Sequence, residues 1–132
     1  TGVEDNTIIY GSGKSIDAGA GTDTLILDSG INLDFDNVSN VSNFEKIDLS
    51  KNGNHTLSDL DINDIINLTD SNNILQILGD SGDSVNFKNS HKDWDSSGTQ
   101  NIDGQTYDVY TKDSGGNTVK LKIDADINTN II

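Results

Sequence analysis

Ile16-Asp17-Ala18-Gly19-Ala20-Gly21-Thr22-Asp23-Thr24-Leu25 carries more structural information than any other stretch of this chain. Two glycines stand two residues apart, an aspartate follows two residues later, and an apolar run, Leu25-Ile26-Leu27, begins immediately after. Glycine lets the backbone turn with positive φ and brings carbonyl oxygens together. Asp23 adds a hard anionic oxygen to that bend, and the apolar residues leave it as a strand. A calcium-binding β-solenoid needs this order, with the ion in the turn and the strand buried in the coil.

The charge balance gives that bend its weight. Among 132 residues there are 8 Lys+Arg against 22 Asp+Glu, for a formal net charge of -14. Every acid except Glu4 and Glu45 is an aspartate. Aspartate favours turns and is a poor residue for helix interiors, so the chain reads as turn-rich and all-β. Ile, Leu, Val and Phe make up about 27% of the residues, above the roughly 20% below which disorder is the default. The expected core is thin and the chain repels itself; each like-charged pair at ~4 Å costs about 1 kcal/mol in water. A bound cation is therefore expected to contribute to folding.

Cysteine is absent, so no disulfide staples the fold, and metal is the other standard staple. No basic-plus-apolar leader pattern occurs, and no apolar run is long enough to cross a membrane. Any export address is expected in a longer chain or near the C-terminal end. The acidic balance excludes nucleic acid as a partner, because phosphate binding needs basic side chains.

Working outward from the bend, residues 7–10 form a short strand, followed by a degenerate first turn over Gly11-Ser12-Gly13-Lys14-Ser15. Strands follow over 31–35 and 44–49. Residues 57–70 predict one short helix, capped by Ser58 and carrying Leu60, Ile62, Ile65, Ile66 and Leu68 on helical spacing. Residues 73–78 and 83–87 are expected to pair around Gly79-Asp80-Ser81-Gly82, and 106–111 with 118–123 to form a hairpin. The expectation is one domain over 1–132. Residues 1–50 form the end of a short parallel β-roll, and 51–132 cap it with antiparallel strands and the helix.

Ala18-Gly19-Ala20-Gly21-Thr22-Asp23-Thr24-Leu25 resembles the nonapeptide calcium repeat of RTX proteins, with Ala18 at the place of the first glycine. Further along, Phe44-Glu45-Lys46-Ile47-Asp48-Leu49, then Leu75-Gln76-Ile77-Leu78-Gly79-Asp80-Ser81-Gly82-Asp83-Ser84-Val85, then Trp94, then Asp103-Gly104-Gln105-Thr106-Tyr107-Asp108-Val109-Tyr110 are similar to the C-terminal region of large RTX adhesins. The resemblance implies a calcium-loaded β-roll, secretion by type I machinery, a place at the bacterial cell surface and a non-enzymatic role in adhesion to a glycan or protein. One good repeat and one damaged one suit the end of an array, where a solenoid must be capped.

The candidate calcium ligands are Asp17, Gly19, Gly21 and Asp23 at the bend, and Asp80 and Asp83 in the second glycine turn; a solvated turn accounts for either set as well. Asp93-Trp94-Asp95-Ser96-Ser97-Gly98 begins like a calcium loop but lacks the closing acid, since Gly104 stands at the twelfth place. Asp59-Leu60-Asp61-Ile62-Asn63-Asp64 alternates oxygens up to Asp70, yet Asp64 replaces the glycine of the sharp bend, which favours acids in a first helical turn. Trp94, flanked by Asp93 and Asp95, is a weak ligand-binding candidate with Tyr107 and Tyr110; such aromatics more often fill a small core. His55 and His91 receive no role, and no catalytic set emerges. Three functions compete: a calcium-dependent adhesin terminus, a sugar- or peptide-binding module, and a surface-layer structural domain.

Overall fold

The computed structural model describes residues 4–11, 16–36, 41–69, 73–87 and 94–130. Among the described residues the chain is mostly β, with thirteen strands and one short helix. In chain order these are β1 (Thr7–Tyr10), β2 (Ile16–Asp17), β3 (Thr24–Leu27), β4 (Leu33–Asp34), β5 (Val41–Ser42), β6 (Lys46–Asp48), β7 (Thr56–Leu60), α1 (Ile62–Leu68), β8 (Ile74–Leu78), β9 (Ser84–Phe87), β10 (Asp95–Ile102), β11 (Gln105–Ser114), β12 (Asn117–Asp124) and β13 (Asn128–Asn130).

Short strands of β-branched and aliphatic residues separated by Gly, Asn and Asp cannot bury both faces alone, so they stack. A seven-stranded sheet runs β1-β3-β6-β8-β12-β11-β10, a four-stranded sheet runs β13-β9-β7-β4, and β2 pairs with β5. From β6 to β9, successive strands alternate between the two larger sheets. Pairing is parallel from β1 through β12 in the large sheet and throughout the small one. Among the described residues, antiparallel pairing is confined to β10, β11 and β12.

Register explains why this stacking is stable. Ile8 pairs with Leu25, Leu25 with Ile47, Ile47 with Ile77, and Ile77 with Ile123. The last four of these side chains are fully buried, so one apolar column crosses five strands. In the small sheet Leu33, Leu57 and Val85 form the matching column. Each fully buried Leu or Ile stabilises the fold by about 1.5–3 kcal/mol. Sliding any strand by one residue turns its column to solvent, which fixes the register.

Several expectations change. The hairpin of 106–111 with 118–123 is present as β11 and β12. The segments 73–78 and 83–87 do not pair with each other: β8 lies between β6 and β12, and β9 between β7 and β13. Each thereby continues its own apolar column, which a local hairpin would break. Parallel pairing also runs well past residue 50. The helix is shorter than residues 57–70. Leu57 is held between Leu33 and Val85 in β7, so the helix starts only at Ile62, with Asp61 rather than Ser58 as its cap. The strand ends in an irregularity between Leu57 and Leu60, where Asp59 adopts φ 58. The first glycine turn at 12–15, the asparagine turn at 37–40, Asp70, His91, Asp93 and the final two residues lie outside the described residues.

Candidate metal centre

The glycine bend joins β2 to β3. Gly19 and Gly21 adopt φ 85 and 110, the left-handed region that the sequence pattern requires. At Gly21 the space is also closed: a Cβ there would stand 2.8 Å from the Glu4 carbonyl oxygen and 3.1 Å from Asp5 Oδ1. The segment before β1 therefore packs directly on the bend, and the Thr22 N–H donates to Asp5 Oδ1 at 2.8 Å.

Asp17 and Asp23 flank this bend in different surroundings. Asp17 is exposed; its Oδ1 accepts from the Asn43 side-chain amide at 2.6 Å and the Gly19 N–H at 3.0 Å. The Asn43 amide, then the Gly19 N–H, hold its carboxyl below the usual carboxylate range. Asp23 is 0% exposed. Its Oδ1 accepts from the Asn6 N–H at 2.8 Å, and its Oδ2 is buried with no hydrogen-bond partner among the described residues. Its own N–H donates to Glu45 Oε2 at 2.8 Å, and its carbonyl accepts from the Glu45 and Lys46 N–H groups at 3.2 and 3.1 Å. An acid on each strand entrance thus grips the backbone of the preceding strand entrance.

An unpaired oxygen on a fully buried carboxylate is costly, at about 1–3 kcal/mol for a neutral group and more for a charged one. A hard divalent cation satisfies such an oxygen and offsets its charge. The donor set at this bend, carboxylate and carbonyl oxygen, fits calcium rather than a soft metal.

The second glycine turn is built differently. Asp80 is exposed, whereas Asp83 is 0% exposed. Asp83 Oδ1 accepts from the His55 N–H at 2.8 Å and Oδ2 from the Asp80 N–H at 2.9 Å, so backbone amides occupy both oxygens. Burial, aided by the neighbouring Asp80 charge, raises its carboxyl above the ordinary value despite those amides. Asp80 Oδ1 accepts from the Gly82 N–H at 3.0 Å. Asp83 closes on the Asp80 backbone within its own turn and ties that turn to the one holding His55. The buried His55 ring joins the same corner, its Nδ1 2.6 Å from the Ile31 carbonyl oxygen and its Nε2 2.7 Å from that of Lys51.

The acidic run 59–64 serves the helix. Asp61 and Asp64 form a reciprocal capping box, at 3.0 and 2.9 Å. Burial pushes the Asp64 carboxyl up to about 6, with the Asp61 N–H opposing and the Asp61 and Asp36 charges adding to the rise. A group missed by sequence reasoning lies close by: Asp34, Asp36 and Asp59 place carboxylate oxygens within 4.8 Å of one another. Its signal was the pairing of Asp34 with Ser58, which needs the strand register to be seen.

Asp93, where that candidate loop begins, lies outside the described residues; Asp95 and Gly98 belong to β10, whose register shifts between Ser96 and Thr99. Trp94 is 7% exposed and its ring lies 6.0 Å from that of Phe87, which also meets Tyr110 at 6.1 Å. These aromatics serve the core. A separate cleft of about 300 Å3, of mixed polar and apolar lining, opens beside the β10–β11 turn, lined by Lys46, Gln76, Leu78, Ile102, Gln105 and Tyr107 among others.

No family model, no curated protein and no solved structure matches this chain. Among the described residues no helix is long and apolar enough to cross a membrane.

Proposed function

We propose that this chain is a secreted, non-enzymatic, calcium-binding β-solenoid domain of the kind that ends an RTX adhesin, folding on calcium outside the cell. The observation that carries this reading is the buried, unsatisfied Oδ2 of Asp23 beside the Gly19–Gly21 bend. The alternation of short parallel strands between two sheets supports the solenoid part. Asp23, the bend carbonyls and the neighbouring Asp17 would hold the ion, whereas backbone amides already take both Asp83 oxygens in the second glycine turn.

The physical mechanism is linkage. With calcium scarce, 22 acids against 8 bases keep the chain loose, a form suited to passage through a type I secretion channel. Where calcium is plentiful, the ion binds the folded form alone and stabilises it, by about 2.7 kcal/mol at a hundredfold excess over the dissociation constant. Circular dichroism and thermal melting with calcium and with EDTA test this. The β signal and melting temperature are expected to fall on metal removal; identical curves would refute the reading.

The cleft beside the β10–β11 turn favours a second reading, a carbohydrate-binding module. Its amides, carboxylates and one ammonium suit a ligand rich in hydroxyl groups. Glycan-array binding that disappears in Gln76→Ala or Gln105→Ala variants would favour it.

A further inference from the structure

β6, β8 and β12 lie side by side in the large sheet. Ile47, Leu75, Ile77, Leu121 and Ile123 are fully buried in its core. Successive side chains of a strand point to opposite faces, so Lys46, Gln76, Lys120 and Lys122 stand on the outer face. Register sets their spacing. Lys46 pairs with Gln76, and Gln76 with Lys122, in one row across three strands. Neighbouring strands lie about 4.7–4.9 Å apart, so the outer two residues of the row are about 9–10 Å apart. Lys120 stands two residues before Lys122 on the same strand and face.

This basic row sits in a chain with 22 acids against 8 bases. Three of the five lysines among the described residues nevertheless gather here. Among the described residues none of these three ammonium groups has an ion-pair or hydrogen-bond partner. Asp48 and Asp124 share the face, one row further along, but they serve their own turns. Asp48 Oδ1 accepts from the Ser50 N–H at 2.9 Å, and Asp124 Oδ1 from the Gln105 amide and the Asp126 N–H at 2.8 and 3.0 Å. The lysines thus remain available to an outside anion. Tyr107 pairs with Asp124, and its hydroxyl is hydrogen-bonded to Gln76. It is 3% exposed yet lies outside the core cluster, so it forms an aromatic floor on this outer face. Lys46, Gln76 and Tyr107 also line the cleft beside the β10–β11 turn.

We propose that the outer face of β6, β8 and β12 binds a linear acidic polysaccharide whose carboxylates meet Lys46 at one end and Lys122 with Lys120 at the other. The proposal rests on the carbohydrate reading of the cleft and adds that the sugar is an acid. It does not depend on calcium at the glycine bend. Successive sugars of an extended polysaccharide advance by about one strand spacing. Acids on alternate sugars therefore face the two ends of the row, and the sugar between them lies over Gln76 and Tyr107. A nucleic acid carries a phosphate on every residue, which needs a denser set of basic side chains than this row supplies.

Hyaluronan carries a carboxylate on every second sugar and is the probe. Titration calorimetry with a hyaluronan octasaccharide, on the full chain at fixed calcium and low salt, should show binding that weakens as salt rises. A neutral chito-oligosaccharide of similar length should bind more weakly. Lys46→Gln and Lys122→Gln should each lower hyaluronan affinity about three- to fivefold. Lys112→Gln should leave it unchanged, because Lys112 pairs with the inward-facing Val119 on the opposite face. If the neutral sugar binds as tightly and the lysine variants change nothing, the cleft reading stands and the acidic ligand is overturned. If single-stranded oligothymidylate binds as tightly with the same lysine dependence, the face is a general polyanion surface and the proposal is again overturned. If neither sugar binds, the carbohydrate reading fails together with it.

Discussion

Replacing Asp83 with alanine isolates the carboxylate that ties two turns together. Asp83 is 0% exposed and accepts from the His55 and Asp80 N–H groups at 2.8 and 2.9 Å. The two losses are unequal. Asp80 is exposed, so water can take over its N–H at little cost. His55 is 1% exposed, so its N–H is left without an acceptor, which costs about 1–3 kcal/mol. The lost charge-assisted bond and the small void add to this, and the burial that raises the Asp83 carboxyl subtracts from it. The net expectation is about 2–4 kcal/mol, a large part of the 5–15 kcal/mol of an ordinary domain. Urea unfolding at a fixed, saturating calcium concentration should show a lower midpoint with an unchanged slope. Asp80→Ala, which removes an exposed acceptor of the Gly82 N–H, should stay within about 0.5 kcal/mol. The reasoning is refuted if Asp83→Ala unfolds within that same narrow range.

Gly21→Ala should destabilise by about 2 kcal/mol or more, because it combines φ 110 with a contact at 2.8 Å to the Glu4 backbone; Gly30→Ala, at φ 76 with open space around it, should cost only about 1–2 kcal/mol by denaturant unfolding. Asp64, raised to about 6, takes up a proton in the folded state before it does in the unfolded chain, so its charge costs stability at neutral pH and the cost fades as pH falls through about 6 towards 4. The melting advantage of Asp64→Asn over wild type should thus be largest near pH 7 and shrink on acidification; parallel pH curves would contradict it. Exchanging Trp94 for alanine should lower the melting temperature whether or not a glycan is present, since its ring packs on Phe87.

The apolar clusters made the strands legible. Leu25-Ile26-Leu27, Ile74 to Leu78 and the β11–β12 hairpin all stand where alternation and turn residues put them. The glycine bend was legible too, because positive φ at Gly19 and Gly21 has a residue signature. Strand partners were not. Nothing local in residues 74–87 distinguishes a hairpin from two strands that each join a different sheet; the choice is made by Ile47 and Ile123 on one side and Leu57 on the other. Helical spacing over 57–70 misled for the same reason, since Leu57 is claimed by a column of distant residues. At the candidate centre, Asp23 was legible from its motif. The part played by Glu45 follows from the parallel register, and the group of Asp34, Asp36 and Asp59 likewise exists only once β4 lies beside β7.

Crystals of the full chain grown in millimolar calcium, measured where calcium scatters anomalously, address the central claim most directly. The account predicts a peak about 2.3–2.6 Å from Asp23 Oδ2, within the glycine bend. Well-ordered density for Asp23 with no peak beside it, at a calcium concentration typical of the extracellular fluid, would contradict the account.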